Sequence, residues 1–129
     1  MKILIAEDSK VDRVLLESIL KREGLEFFSA TTSDEALASY KGGGFDAALV
    51  DWMLPSIGGL SLTLEMREID AQEGRYCYII MVTSKSKPED EVRALESGVD
   101  DFLHKPVDGR ILAAKLKVAR RILGKIRKH

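Results

Sequence analysis

The sequence predicts an α/β domain, a doubly wound, five-stranded parallel sheet flanked by five helices. Three observations predict it. Strand-like and helix-like segments alternate along the whole chain. Runs such as Ile3-Leu4-Ile5-Ala6 and Tyr78-Ile79-Ile80-Met81-Val82 are apolar at successive positions, as strands covered on both faces must be. The length of 129 residues, with 45% hydrophobic and 32% charged side chains, suits one domain around a sizeable core.

The elements follow in order. Lys2 to Ala6 reads as the first strand. A helix comes next, with Ser9 as N-cap, Asp12 in its first turn, Val11, Leu15 and Ile19 as its apolar face, and Gly24 as its stop. Glu26 to Ala30 is the second strand. The second helix opens on the capping-box spacing Thr32 to Glu35 and dissolves at Gly42, Gly43 and Gly44. Ala47 to Val50 is the third strand, followed by a helix from about Gly59 to Ala71. Tyr78 to Val82 is the fourth strand. Its helix starts with Pro88 at a first helical position, places Glu89, Asp90 and Glu91 at the positive end of the dipole, and closes at Gly98. Asp101 to His104 is the fifth strand. In the last helix Leu112, Leu116, Ala119, Leu123 and Ile126 recur at helical spacing as its buried face.

The net charge of −1 conceals an asymmetry: residues 1–106 carry 12 basic and 20 acidic side chains, residues 107–129 carry 8 basic and 1 acidic. An acidic body suits a cation site, and the basic end reads as the solvated face of an amphipathic helix rather than a nucleic-acid contact. Apolar runs are too short to span a bilayer, and no charged start with an apolar stretch and cleavage site marks the chain for secretion, so a cytoplasmic protein without membrane contact is expected. Cys77, the one cysteine, can form neither an internal disulfide nor a thiolate cluster and is expected to be buried and inert.

In open parallel sheets the site lies beyond the carboxyl ends of the strands. There stand Glu7 and Asp8 after the first strand, Asp51 after the third, Thr83 and Ser84 after the fourth, and Lys105 and Pro106 after the fifth. Three carboxylates this close cannot all stay ionised without a cation. Oxygen donors with room for water and a phosphate oxygen fit Mg²⁺ best. Zinc is disfavoured, because the one imidazole nearby, His104, precedes Lys105 and should point to the opposite face.

Over residues 2–123 these motifs resemble the receiver domain of two-component response regulators. The resemblance rests on Glu7-Asp8, on Asp51-Trp52-Met53-Leu54-Pro55 with Gly59, on Thr83-Ser84, and on Gly98-Val99-Asp100-Asp101-Phe102-Leu103-His104-Lys105-Pro106. It implies the flavodoxin-like, CheY-like strand order 2-1-3-4-5. It also implies a phosphoacceptor module rather than an enzyme, one that assists its own phosphorylation and dephosphorylation. Asp51 would take the phosphoryl group from a phosphohistidine of a sensor histidine kinase or histidine phosphotransfer protein, and a carboxylate is a competent nucleophile for this. Glu7, Asp8, Asp51 and the backbone carbonyl of Met53 would hold Mg²⁺, and Lys105 would pair with a phosphoryl oxygen. The Lys105–Pro106 peptide would be cis, a form that X-Pro bonds accommodate. Thr83 and Phe102 would form the switch. The fourth helix, fifth strand and fifth helix would report the state to an output domain or downstream protein, or form a homodimer.

Some positions depart from the family pattern. Phe102 stands where tyrosine is frequent and lacks the phenol's hydrogen bond. Gly58 replaces an acid or serine, Leu54 a methionine, and Ser84 an alanine beside the phosphoryl pocket. Met53 and Lys85 occupy positions that tune water access. The rival reading, a Mg²⁺-dependent phosphatase with an aspartate nucleophile, needs a second acid two residues later, where Met53 stands. An FMN carrier or nucleotide binder would need a phosphate-wrapping loop after the first strand, where Glu7-Asp8-Ser9 would repel an anion. The domain is expected to span residues 1–123. Residues 124–129 form a basic helical extension or tail, similar to the linkers that lead into outputs such as diguanylate cyclases.

Overall fold

The computed structural model describes residues 1–127, so Lys128 and His129 of the expected tail lie outside the described residues. Five strands, β1 (Lys2–Ala6), β2 (Glu26–Ala30), β3 (Ala47–Asp51), β4 (Tyr78–Thr83) and β5 (Asp101–His104), alternate with five helices. These are α1 (Lys10–Arg22), α2 (Ser33–Lys41), α3 (Gly58–Glu73), α4 (Pro88–Glu96) and α5 (Gly109–Arg127). The sheet is wholly parallel in the order β2-β1-β3-β4-β5, the CheY-like arrangement. Because the chain reverses direction of growth after β2, the ends of β1 and β3 frame a crevice.

Successive side chains of a strand point to opposite faces, and this alternation splits the core in two. Leu4, Ala6, Ala48, Val50, Ile79 and Met81 pack under α2, α3 and α4, while Ile3, Ile5, Leu49, Ile80, Val82 and Leu103 pack under α1 and α5. Fully burying an aliphatic side chain contributes about 1.5–3 kcal/mol. These layers hold the strands in register, and the register holds the strand ends level.

The structure corrects the sequence reading in four places. β3 and β4 each run one residue further than expected, because Asp51 stays in register with Val82 and Thr83 with His104. The two chemical groups are therefore rigid strand residues. The helix after β3 starts at Gly58 and runs to Glu73, ended by Gly74 in the left-handed conformation. The buried face of α1 is Leu16, Ile19 and Leu20, whereas Val11 is 80% and Leu15 38% exposed. Leu15 lies about 100° around the helix from Leu16, and Ile19 belongs to either stripe, so spacing alone did not choose between them. Ile126 is exposed although it continues the α5 stripe. At 19 residues α5 is about 28 Å long and outruns a sheet of five-residue strands, so its last turn passes the sheet core: Arg127 there pairs with Asp46 (2.6 Å), and Ile126 borders an open cleft beside Ala71 and Tyr76. No helix among the described residues is long and apolar enough to cross a membrane.

Candidate phosphoacceptor site

Four strand ends deliver the site. Glu7 follows β1 directly; its backbone N–H donates to the Ala30 carbonyl (3.0 Å), which continues the β1–β2 ladder and buries the side chain completely. Asp8 turns outward to solvent. Asp51 ends β3, with 5% of its surface exposed. One oxygen each of Glu7, Asp8 and Asp51 lies within 4.8 Å of the others. The Glu7 Oε2 accepts from the Ser9 N–H (3.1 Å), but the buried Glu7 Oε1 makes no hydrogen bond. Burial, then the adjoining Asp51 carboxyl, pushes the Glu7 carboxyl up to about 7. Glu7 Oε1, without a directed hydrogen bond and facing the Lys105 ammonium (3.0 Å), belongs to a group of clustered hard oxygen donors that fits a metal cation, which would offset the gathered negative charge.

Lys105 enters from the opposite side of the crevice, after β5. Its N–H donates to the Thr83 carbonyl (2.9 Å), and its peptide bond to Pro106 is cis. Its ammonium donates to Asp12 Oδ2 (3.0 Å) and Asp51 Oδ2 (3.4 Å) and lies 3.0 Å from Glu7 Oε1. Partial burial opposes the charge, but Asp12 and Glu7 hold the ammonium above the usual lysine range.

Thr83 is buried, and its Oγ1 accepts from the Lys85 N–H (2.9 Å); Ser84 is exposed. Met53 places its side chain in solvent, and its N–H donates to Asp51 Oδ1 (3.1 Å). The position that a phosphatase would give to a second acid therefore holds an exposed thioether. Phe102 is half-buried against the core and meets His104 edge-on, with ring centroids 5.4 Å apart. The His104 imidazole faces Glu91 on α4, 3.8 Å away, and not the carboxylates. Trp52, Thr83, Ala94 and Phe102 line one small space between β4, α4 and β5.

Two contributors were not legible as site residues. Asp12 reads in the sequence as an acid favouring the α1 dipole, yet it reaches Lys105 across 93 positions. Ser33 reads as part of a helix start. Its hydroxyl instead accepts from the Ile57 N–H (2.9 Å) and donates to the Pro55 carbonyl (2.9 Å), closing the loop that follows Asp51. The available signal was that Ser33 sits beside a cap already supplied by Thr32.

Comparison with known proteins points one way. The family model described as response regulator receiver domain matches residues 3–117. "Hybrid signal transduction histidine kinase I" of Dictyostelium discoideum is 35% identical over 116 residues, covering 86% of this chain and 7% of that protein. "Transcriptional regulatory protein ResD" of Bacillus subtilis is 33% identical over 116 residues, covering 90% and 46%. The chain thus spans half the length, or less, of these curated relatives. A CheY-like receiver domain protein from Methanospirillum hungatei superposes with a TM-score of 0.86 at 31% identity, covering 96% of each chain. A co-crystal structure of the Saccharomyces cerevisiae histidine phosphotransfer protein Ypd1 with the receiver domain of Ssk1 matches with a TM-score of 0.83 at 28% identity, covering 89% of this chain and 85% of that one.

Proposed function

The chain belongs to the response regulator receiver domain family, and on that premise we propose that Asp51 accepts a phosphoryl group from a phosphohistidine. The single observation that carries the reading is the pairing of a nearly buried Asp51 with two further carboxylates within 4.8 Å and an ammonium at 3.4 Å. A nucleophile, charge compensation and a closed pocket are what phosphoryl transfer asks of a protein.

In the transfer, an Asp51 oxygen attacks phosphorus as the P–N bond to the donor imidazole breaks. The imidazole leaves with the electron pair and takes up a proton. Glu7, Asp8, Asp51 and the Met53 carbonyl are the residues that would hold Mg²⁺, which when bound supplies charge neutralisation for the phosphoryl oxygens. Lys105 supplies a further positive charge, paired to a phosphoryl oxygen. Thr83 donates its hydroxyl to another and leaves the space it shares with Phe102, whose ring turns into it. Phenylalanine preserves that packing step without a phenol hydrogen bond.

The donor is a histidine kinase or histidine phosphotransfer protein, and the module acts in the cytoplasm. The exposed Val11, Val14 and Leu15 at the start of α1, beside the pocket, offer such a donor an apolar footing. The face of α4, β5 and α5, with Val92, Leu95 and Ile111 exposed, serves an output domain, a downstream protein or a homodimer. Residues 1–123 form the receiver proper, and residues 124–129 extend it.

Intact-mass measurement after incubation with Mg²⁺ and acetyl phosphate, beside Asp51→Asn, tests the reading. Wild type is to gain one phosphoryl group and the variant none. Trp52, next to the acceptor, reports binding by fluorescence in the same sample. A wild type that gains no mass from acetyl phosphate or from a phosphohistidine donor overturns the assignment.

A further inference from the structure

Lys105 has three carboxylates around one ammonium, but its directed hydrogen bonds go to only two of them, Asp12 and Asp51. Asp12 is the nearer at 3.0 Å, against 3.4 Å for Asp51. It is not one of the three carboxylates that cluster as cation ligands. Its place is fixed: it is the third residue of α1, its N–H donates to the capping Ser9 hydroxyl (3.3 Å), and Arg13 binds the carbonyls of Glu7 and Asp8 beneath it (both 3.3 Å). Asp12 therefore stands at the mouth of the pocket with a carboxylate aimed at the ammonium and, at 38% side-chain exposure, with its other flank in water.

A cation entering the cluster takes oxygens of Glu7 and Asp51, two of the carboxylates that the ammonium now neighbours. The two positive charges repel, and the ammonium must be held somewhere else. An arriving phosphoryl group makes the opposite demand, since it needs the ammonium and adds negative charge beside Asp12.

We propose that Asp12 is a positioning residue for phosphoryl transfer, which draws the Lys105 ammonium toward the pocket mouth, favouring cation entry and competing with the phosphoryl group for the same charge. The proposal rests on the phosphoacceptor reading of Asp51. Asp12 touches no reacting atom and acts through Lys105. A partly exposed ion pair of this kind shifts an equilibrium by about two- to fivefold.

The test is Asp12→Asn, which keeps shape and the bond to Ser9, compared with Asp12→Glu, which keeps the charge. Mg²⁺ is titrated by Trp52 fluorescence, and the phosphorylation rate with acetyl phosphate is measured across Mg²⁺ concentrations. In Asp12→Asn the half-saturating Mg²⁺ is to rise about two- to fivefold while the rate at saturating Mg²⁺ rises by a similar factor. Loss of folding or of pocket shape would not raise that rate. Asp12→Glu is to stay within about twofold of wild type in both. In a Lys105→Met background, the Mg²⁺ shift caused by Asp12→Asn is to disappear. The proposal is overturned if Asp12→Asn matches wild type, if its saturated rate falls, or if the Mg²⁺ shift persists without Lys105. A wild type that takes no phosphoryl group brings down the phosphoacceptor reading itself, and the proposal with it.

Discussion

Gly59→Ala is the sharpest probe of how the fold carries Asp51. Gly59 is the second residue of α3 and is buried; its N–H donates to the Trp52 carbonyl (3.0 Å), and its carbonyl accepts from the Thr63 hydroxyl (2.9 Å). A methyl group there would sit 2.9 Å from Trp52 Cα and closer still to the Asp51 carbonyl oxygen. Ordinary contact begins near about 3.4 Å, so α3 or the end of β3 must move by roughly half an ångström or more. Both are backbone, and α3 is anchored by the buried Leu62, Thr63 and Met66, so neither yields cheaply. Overpacking costs about 1–3 kcal/mol, and with backbone on both sides the upper end applies. A loss of about 3 kcal/mol is a large share of a typical domain's 5–15 kcal/mol and corresponds to a Tm lower by roughly 10 °C. Urea unfolding measures it, and Trp52 fluorescence reports whether the neighbouring Asp51 has shifted. Gly124→Ala is the control of opposite sign. It lies in the exposed interior of α5 with nothing within 4 Å of an added methyl, so it should stabilise by about 0.5–1 kcal/mol. A Gly59→Ala protein within about 1 kcal/mol of wild type, with unchanged Trp52 emission, would refute the reasoning.

Other consequences can be measured in the same way. The Glu7 carboxyl is raised from 4.5 to about 7 on folding, so without metal its contribution is fully present below about 4.5 and is lost as pH rises through about 7. The loss is at most roughly 3 kcal/mol, and urea unfolding in chelator at pH 5 and pH 8 should show it, with Glu7→Gln flattening the difference. Asp70, buried in α3, accepts from Tyr40, from Arg67 (2.9 Å) and from the Cys77 N–H (3.3 Å). Asp70→Ala strands those donors and should cost about 3 kcal/mol, with equal denaturation midpoints for mutant and wild type as the disproof. Burial pushes the Cys77 thiol up to about 12, so alkylation should proceed only through unfolding and slow in step with added stability. Rapid labelling in native buffer would contradict that.

What the sequence made legible follows from which forces act locally. The identity of the central strands β1, β3 and β4 came from unbroken apolar runs, since burial on both faces leaves no place for a charge until the strand ends. The chemistry stood out for the same reason: Glu7 and Asp51 are the first ionisable groups after such runs, and Lys105 with Pro106 closes the short fifth strand. Helix phase was harder. Val11, Leu15 and Ile19 make a plausible stripe, but the stripe that packs is the one facing β1 and β3, and only the sheet selects Leu16 and Leu20. Asp12 and Ser33 escaped because each acts on a residue distant in sequence, Lys105 and Pro55, while carrying a sufficient local explanation at a helix start. A residue with one adequate local role gives no sequence sign of a second.

The two ends of the sheet are held in different ways, and the difference bears on what can move. At the amino ends of the strands, Arg67 of α3 donates to the carbonyls of Cys77 (2.7 Å) and Gly98 (2.8 Å) and pairs with Asp70 (2.9 Å) and Asp100 (2.8 Å). Asp100 also accepts from the Ile79 N–H (2.8 Å). One guanidinium thus ties α3, the start of β4 and the turn after α4. At the carboxyl ends, among the described residues, α4 is reached only by the half-exposed His104–Glu91 pair (3.8 Å) and by Arg93 over the Trp52 ring, and it buries only Ala94, whereas α5 buries Leu112, Leu116, Ala119 and Leu123. At about 1.5–3 kcal/mol for each large aliphatic side chain, α5 is held several times more firmly than α4. Pinned at Gly98 and lightly seated elsewhere, α4 is the element least costly to displace, and it is the one packed beside Thr83 and Phe102. A hydroxyl displacement at Thr83 need therefore supply little free energy to be felt on the α4 surface.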